Sequence, residues 1–346
     1  MVCRALCFRC SLPGKALFST NDHCDDAYDT LADRQHCSRE KISFILTYRK
    51  SMKEYIKLIR PKDWAKNLFL LIPVFFAGEI FNNQTIINII GGFFCFSLVA
   101  SSIYIINDYR DIEDDRMHPE KRTRPLAAGT VSKGAAIAIC AIFLVTGFTL
   151  AWFIRDKFLF VLGIYFVLNL GYSFGLKNIS ILDIIIIAIG FVLRVKAGAV
   201  IAYIGLSEWL TIMVFLLALF MAIAKRRDDV LIKQVSGTDM RKAVKGYNLD
   251  FINAAISLIC AVTIVSYFMY TMSPEVVQRL GTHRLYYTCL FVLAGIFRYL
   301  QLIFVNQNSQ SPTKILYKDR FIQLTIILWV ISFYLILYVK DFTIFK

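Results

Sequence analysis

Apolar residues along this chain gather into blocks about as long as a bilayer is thick, with polar stretches between them. The blocks fall at 64–81, 86–107, 134–154, 157–175, 180–203, 208–225, 251–272, 284–305 and 321–340. The pattern predicts an all-α integral membrane protein with nine transmembrane helices. Pro73 interrupts the first block, and the flank "MKEYIKLIRPKDWAKN" is basic and amphipathic. That flank predicts an interfacial helix at 52–63 on the inner membrane surface, with Trp64 as its anchor. A transmembrane domain is expected over residues 52–346.

Residues 1–51 follow no such period. They are polar, Cys-rich and acidic between Asp22 and Asp33, which predicts a disordered tail. Met52 reads as a natural beginning of the chain. Cys3, Cys7 and Cys10 have the spacing of a radical-type iron–sulfur site, but no folded shell is expected around them to tune a cluster. Cys95, Cys140, Cys260 and Cys289 lie singly in apolar blocks and read as small hydrophobes.

Composition sharpens the picture. Only 18% of residues are charged, against about 25% in soluble domains. The net charge of +14 would suggest nucleic acid in a soluble protein. Its distribution argues otherwise. With the N-terminus inside, segments 49–66, 108–134, 175–179, 225–245 and 306–320 face the cytoplasm and hold 24 Lys and Arg, against 6 on the other side. That bias predicts a multi-pass protein of the cytoplasmic membrane, N-terminus in, with no call for nucleic acid. The lipid bilayer is the partner the composition demands; a homo-oligomer is allowed but not specified.

Helix parity then delivers three charged clusters to the cytoplasmic face: "NDYRDIEDDR", "GYSFGLK" and "AKRRDD", with Asp183 returning in the next first turn. Taken as one helix at about 100° per residue, Asp108, Asp111 and Asp115 share an arc of roughly 60°. Asn107 flanks them. Three stacked carboxylates repel each other unless a cation sits among them, and carboxylates plus substrate phosphates are the usual setting for Mg2+. The predicted metal ligands are Asp108, Asp111 and Asp115. His118, Lys121 and Arg124 follow at once in "HPEKRTRP"; beside a metal, such cations bind phosphate oxygens. Acid for metal and base for phosphate together point to a diphosphate leaving group.

Asp183 and Arg194 are two ionisable residues on one face of an apolar block, where such groups usually line a cavity. Arg194 is expected about 20 Å above the inner end of its helix. Lys196 points elsewhere, and Arg298 is near enough to the inside to snorkel. Lys66, Asn67 and Lys177, with Lys225 and Arg226 of "AKRRDD", complete the candidate substrate contacts.

N-D-x-x-D-x-x-x-D at 107–115, R-P-x-x-x-G at 124–129 and Y-x-x-x-x-K at 172–177, together with nine expected helices, resemble the UbiA superfamily of intramembrane prenyltransferases over about residues 55–340. The resemblance implies a helical bundle enclosing a lipid-facing chamber, with Mg2+ linking the aspartates to a diphosphate. It also implies a role for Tyr172 in orienting an oxygen. Aromatic members usually carry a second paired-acid motif, whereas Asp183 stands alone here with Ile187 four positions on. "RPKDWAKN", "DDRMHPEKRTRPLAAG", "YSFGLKNISILD", "GFVLRVKAG" and "LFMAIAKRRDD" are instead similar to the branch of decaprenyl-phosphate phosphoribosyltransferases. That branch implies phosphoribosyl diphosphate and polyprenyl phosphate as substrates. The alternative is an aromatic prenyltransferase making a quinone or haem precursor from a polyprenyl diphosphate and, for example, 4-hydroxybenzoate. A transporter would need polar residues through the midplane or broken helices in matching halves, and neither is seen.

Overall fold

The computed structural model describes residues 52–117, 121–236, 242–305, 315 and 318–338. Helix α1 covers 52–59. It stops at Arg60, whose backbone turns left-handed at φ 56°, and Pro61 then opens a 3-10 helix, Pro61–Leu71. Short α2, Ile72–Ala77, begins with Pro73 in its first turn and ends on Gly78 at φ 78°. The interfacial helix expected at 52–63 is thus four residues shorter, because a left-handed residue followed by proline cannot continue it.

The long helices are α3 (Asn83–Arg110), α5 (Lys133–Ile154), α6 (Asp156–Ser173), α7 (Leu182–Ala202), α8 (Glu208–Ser236), α9 (Leu249–Met272), α11 (Cys289–Phe304) and α12 (Arg320–Tyr338). Short α4 (Ile112–Met117) and α10 (Pro274–Leu280) lie between them. Four of these starts carry side-chain caps. The Asn82, Ser132, Asn248 and Ser273 side chains accept from the backbones of Thr85, Ala135, Phe251 and Val276, which satisfies donors a helix leaves orphaned.

Among the described residues, seven helical stretches are long and apolar enough to cross a membrane: Asn83–Arg110, Lys133–Ile154, Leu182–Ala202, Glu208–Gln234, Leu249–Met272, Arg284–Phe304 and Arg320–Leu337. The protein is an integral, multi-pass membrane protein. Two of the nine expected spans are missing from that set. The block 64–81 is divided between the 3-10 helix and α2, which has Pro73 in its first turn and stops at Gly78. The block 157–175 becomes α6, whose 18 residues include Asp156, Lys157 and Asn169 and dilute its hydropathy.

Apolar side chains face outward along these helices, including Val145 and Phe153 of α5, Leu258 and Val265 of α9, and Ile327 of α12. In water that would be costly; against lipid tails it is not. Inside, α3, α6, α7 and the 3-10 helix share one core around Phe96, Phe158, Leu162 and Tyr165. Helices α8, α9, α11 and the start of α7 share another around Ile223, Ile252 and Ile256. Gly198 of α7 lets the 3-10 helix press against it, since a Cβ there would lie 2.0 Å from the Leu70 carbonyl oxygen. Any side chain at 198 would push that segment away.

Candidate active site

The helix expected to run unbroken through the aspartates is interrupted by one residue. Helix α3 ends at Arg110, Asp111 is a turn at φ −92° and ψ 13°, and α4 resumes at Ile112. Backbone hydrogen bonds from Asp111 to Asn107 and from Asp115 to Asp111 carry through the break. Asp108 and Asp115 still converge on one side, where both reach Arg124, while Asp111 pairs with Lys177.

Each carboxylate meets a cation from elsewhere. Asp108, 2% exposed, accepts from Arg60 Nη2 through both oxygens at 2.6 and 2.7 Å. Arg124 Nη1 reaches Asp108 at 3.0 Å and Asp115 at 2.7 Å, so one nitrogen lies between two carboxylates. Lys177 Nζ donates to Asp111 at 2.5 Å and to the Asn107 side-chain oxygen at 3.1 Å. Arg124 is placed by the R-P-x-x-x-G turn. There Ala128 N–H donates to the Arg124 carbonyl and Gly129 turns back at φ 71°, which only glycine adopts cheaply. Arg110 donates to the Ser173 carbonyl and lies over the Phe174 ring, joining α3 to the end of α6.

A second cluster forms where α7, α8 and the stretch before α9 meet. Asp183 is fully buried. Arg226 Nε donates to its Oδ2 at 2.6 Å, and Tyr247 OH donates to its Oδ1 at 2.8 Å. Arg226 Nη1 also holds Asp229 Oδ2 at 2.6 Å. Asp183 is therefore not alone: Asp229 supplies a second carboxylate, three residues from Arg226 rather than four from Asp183. Burial, reinforced by the hydrogen bond to Asp183, pushes the Tyr247 phenol well above the ordinary tyrosine range. The same hydroxyl accepts from Ile181 N–H at 2.6 Å, and Ile181 sits at φ 70°, an outlier for a β-branched residue. Ser180 donates to the Ala243 carbonyl at 2.7 Å. The segment 173–183 thus joins the two clusters, with Lys177 on the first and Asp183 in the second.

A third group lies deeper. Arg194, 5% exposed, donates to Asn67 Oδ1 at 2.9 Å, to the Gly190 carbonyl at 2.9 Å and to Tyr165 OH at 2.8 Å. Its guanidinium lies over the rings of Phe96, Tyr165 and Phe191. Asn67 in turn donates to Ser97. Among the described residues Arg194 has no carboxylate within ion-pair distance. Lys66 pairs with Asp63 at 2.6 Å and, like Arg60, lies over Tyr104.

Some expected site residues fall elsewhere. Tyr172 is half-buried near the end of α6. Lys225 is exposed, while its neighbour Arg227 turns away to Asn253 at 3.0 Å. Lys121 begins a short 3-10 turn, Lys121–Thr123. His118 and the cysteines of residues 1–51 lie outside the described residues. No group of three His, Cys, Asp or Glu side chains among the described residues is gathered tightly enough to hold a metal ion. Their carboxylates are spread over Arg60, Arg124 and Lys177. The convergence of Asp108 and Asp115 on one Arg124 nitrogen nevertheless fits a cation position between them. Sequence reasoning passed over Arg60, Asp229 and Tyr247. Arg60 stood in "RPKDWAKN", and Asp229 was absorbed into a charged helix end.

The result is a bundle of membrane helices with aspartates and cations gathered around the end of α3. Residues 68–325 match the model of the UbiA prenyltransferase family. The chain belongs to that family. It is 32% identical over 290 residues to a decaprenyl-phosphate phosphoribosyltransferase of Corynebacterium glutamicum, covering 82% of this chain and 86% of that one. It is 31% identical over 308 residues to the Mycolicibacterium smegmatis protein of the same name, covering 86% and 96%. A UbiA homolog from Archaeoglobus fulgidus bound to GPP and Mg2+ superposes with a TM-score of 0.61 at 20% identity, over 82% of this chain and 99% of that one. That likeness establishes the fold.

Proposed function

We propose that the protein transfers 5-phosphoribose from phosphoribosyl diphosphate to a polyprenyl phosphate, releasing diphosphate, at the cytoplasmic face of the membrane. The supporting observation is the alternation of three carboxylates with three cations, Arg60, Arg124 and Lys177, in one cluster. Such a cluster offers carboxylates to a metal and cations to a diphosphate. The relatives just described carry the same name as this activity and align with most of the chain.

Asp108, Asp111 and Asp115 would hold Mg2+, whose chemistry is to neutralise charge on a departing diphosphate. Arg60, Arg124 and Lys177, freed from the carboxylates, would take up phosphate oxygens, the arginines through their planar forks. Lys66, Lys121 and Lys225 would extend that basic rim, and Tyr172 would orient a donor oxygen. An oxygen of the lipid phosphate forms a bond to ribose C1 as the C1–O bond to diphosphate breaks. The leaving group departs with the electron pair. The acceptor is anionic at neutral pH, so no side chain need remove a proton. Arg194, with Asn67, would hold the acceptor phosphate on the apolar side, with the polyprenyl tail along the helices.

One observation favours an aromatic prenyltransferase instead: Asp229 gives Asp183 the acid partner that the sequence pattern lacked. Purified protein incubated with labelled phosphoribosyl diphosphate and polyprenyl phosphate decides. Label entering the lipid phase only with Mg2+ supports the proposal. Prenylation of 4-hydroxybenzoate without such transfer overturns it.

A further inference from the structure

The two acid clusters differ in how their cations are held. In the first, the side chains of Arg60, Arg124 and Lys177 are 23%, 25% and 23% exposed, and that of Asp111 is 20% exposed. These long side chains come from the turn before Pro61, the 124–129 turn and the 3-10 turn Leu176–Asn178. They can swing aside without unpacking a helix. In the second, Arg226 and Asp183 are each 1% exposed at the side chain. Arg226 lies inside α8, and Asp183 in the first turn of α7.

The second cluster is also filled at the level of single oxygens. One Asp183 oxygen takes Arg226 Nε and the other takes Tyr247 OH, while Arg226 Nη1 occupies Asp229 Oδ2. Mg2+ demands near-octahedral oxygen ligands and keeps several waters. Neither is available where Asp183 is buried with both oxygens engaged and Arg226 also holds Asp229 Oδ2. A guanidinium spanning two carboxylates supplies the positive charge that a metal would otherwise bring.

We infer that Arg226 is a built-in counterion that closes the Asp183–Asp229 pair to divalent cations, so that the protein takes one cation per chain, at Asp108, Asp111 and Asp115. Arg226 is then a specificity-determining residue: it makes this a one-cation site although two acid clusters are present. The inference rests on the reading of the first cluster as the cation site. It does not depend on which lipid or donor is used.

Binding of Mn2+ to the full chain in detergent, without substrate, tests it by electron paramagnetic resonance. The wild type is expected to bind one ion per chain, and Asp183→Asn still one. Arg226→Gln is expected to bind two, and to regain thermal stability on adding Mn2+ that it lacks in EDTA. Arg226→Lys, which keeps the charge, is expected to stay at one. Two ions in the wild type, falling to one in Asp183→Asn, would overturn the inference. So would an Arg226→Gln protein that binds one ion and gains no stability from Mn2+. Neither outcome touches the transfer assay, which separately decides the proposed reaction.

Discussion

Lys177 and Asp111 stand 66 residues apart in sequence and 2.5 Å apart in the fold. The pair ties the turn after α6 to the aspartate cluster at the end of α3, and the proposed donor would have to displace it. Lys177 then serves twice, as partner of Asp111 before binding and of a phosphate oxygen after it.

Lys177→Met is predicted to raise KM for phosphoribosyl diphosphate. A hydrogen bond to a charged group contributes about 1.5–3 kcal/mol, so the increase should be roughly tenfold to a hundredfold. Lys177→Arg, which keeps the charge, should recover part of it. Steady-state kinetics with both substrates varied checks this. An unchanged donor KM in Lys177→Met would remove Lys177 from the donor site.

Asp108→Asn keeps the shape of a side chain that meets Arg60 and Arg124 while removing its charge. We predict a loss of turnover of at least about a hundredfold, in line with the kilocalories a metal contributes to charge stabilisation. Folding should persist, because an amide oxygen can still accept from both arginines. Melting in detergent and Mg2+-dependent transfer would be measured side by side. Wild-type activity in EDTA, or in Asp108→Asn, would sink the metal reading.

Tyr247 provides a test by pH. Its folded-state pKa is raised, so the folded protein holds the proton more tightly than the unfolded chain does. Stability from this group is fully present below the unfolded value of about 10 and is lost as pH rises through and beyond it. Between pH 9 and pH 11 or so, wild-type melting should fall more steeply than that of Tyr247→Phe. Parallel melting curves for the two proteins would show that the phenol does not titrate differently on folding.

These residues also show what a linear reading can reach. Asp108, Asp111 and Asp115 were legible because helical spacing is local, and the break at Asp111 shifts only one residue. Arg124 was legible only through the R-P-x-x-x-G motif of the resembled family; the turn that carries it came from the structure. Arg60 was not legible: its pairing with Asp108 spans 48 residues and depends on a left-handed backbone that no residue type there signals. Asp229 was hidden for the opposite reason. Its neighbours Arg226 and Arg227 read as a charged helix end, yet the helix turns Arg226 toward Asp183 and Arg227 toward Asn253. The first apolar block misled because hydropathy counts residues and ignores geometry. It is split into a 3-10 helix and one short α-helix that has Pro73 in its first turn and stops at Gly78.

Arg194 separates the two enzymatic readings. Its three nitrogens donate to neutral acceptors on Asn67, Tyr165 and Gly190, and aromatic rings surround it. Among the described residues no carboxylate lies within ion-pair distance to offset this guanidinium, which is buried between α3, α6 and α7. If the acceptor is a lipid phosphate approaching from the apolar side, Arg194 is the cation in its path. Two unit charges about 6 Å apart interact by nearly 3 kcal/mol at an effective dielectric near 20. Arg194→Gln should therefore raise KM for polyprenyl phosphate by roughly a hundredfold while leaving KM for phosphoribosyl diphosphate nearly unchanged. Tyr165→Phe, which removes one support but not the charge, should have a much smaller effect of the same kind. With a prenyl diphosphate donor and an aromatic acceptor, the split would reverse, and Arg194→Gln would weaken the donor. Kinetics that show equal effects on both substrates would place Arg194 in the scaffold rather than in the acceptor site.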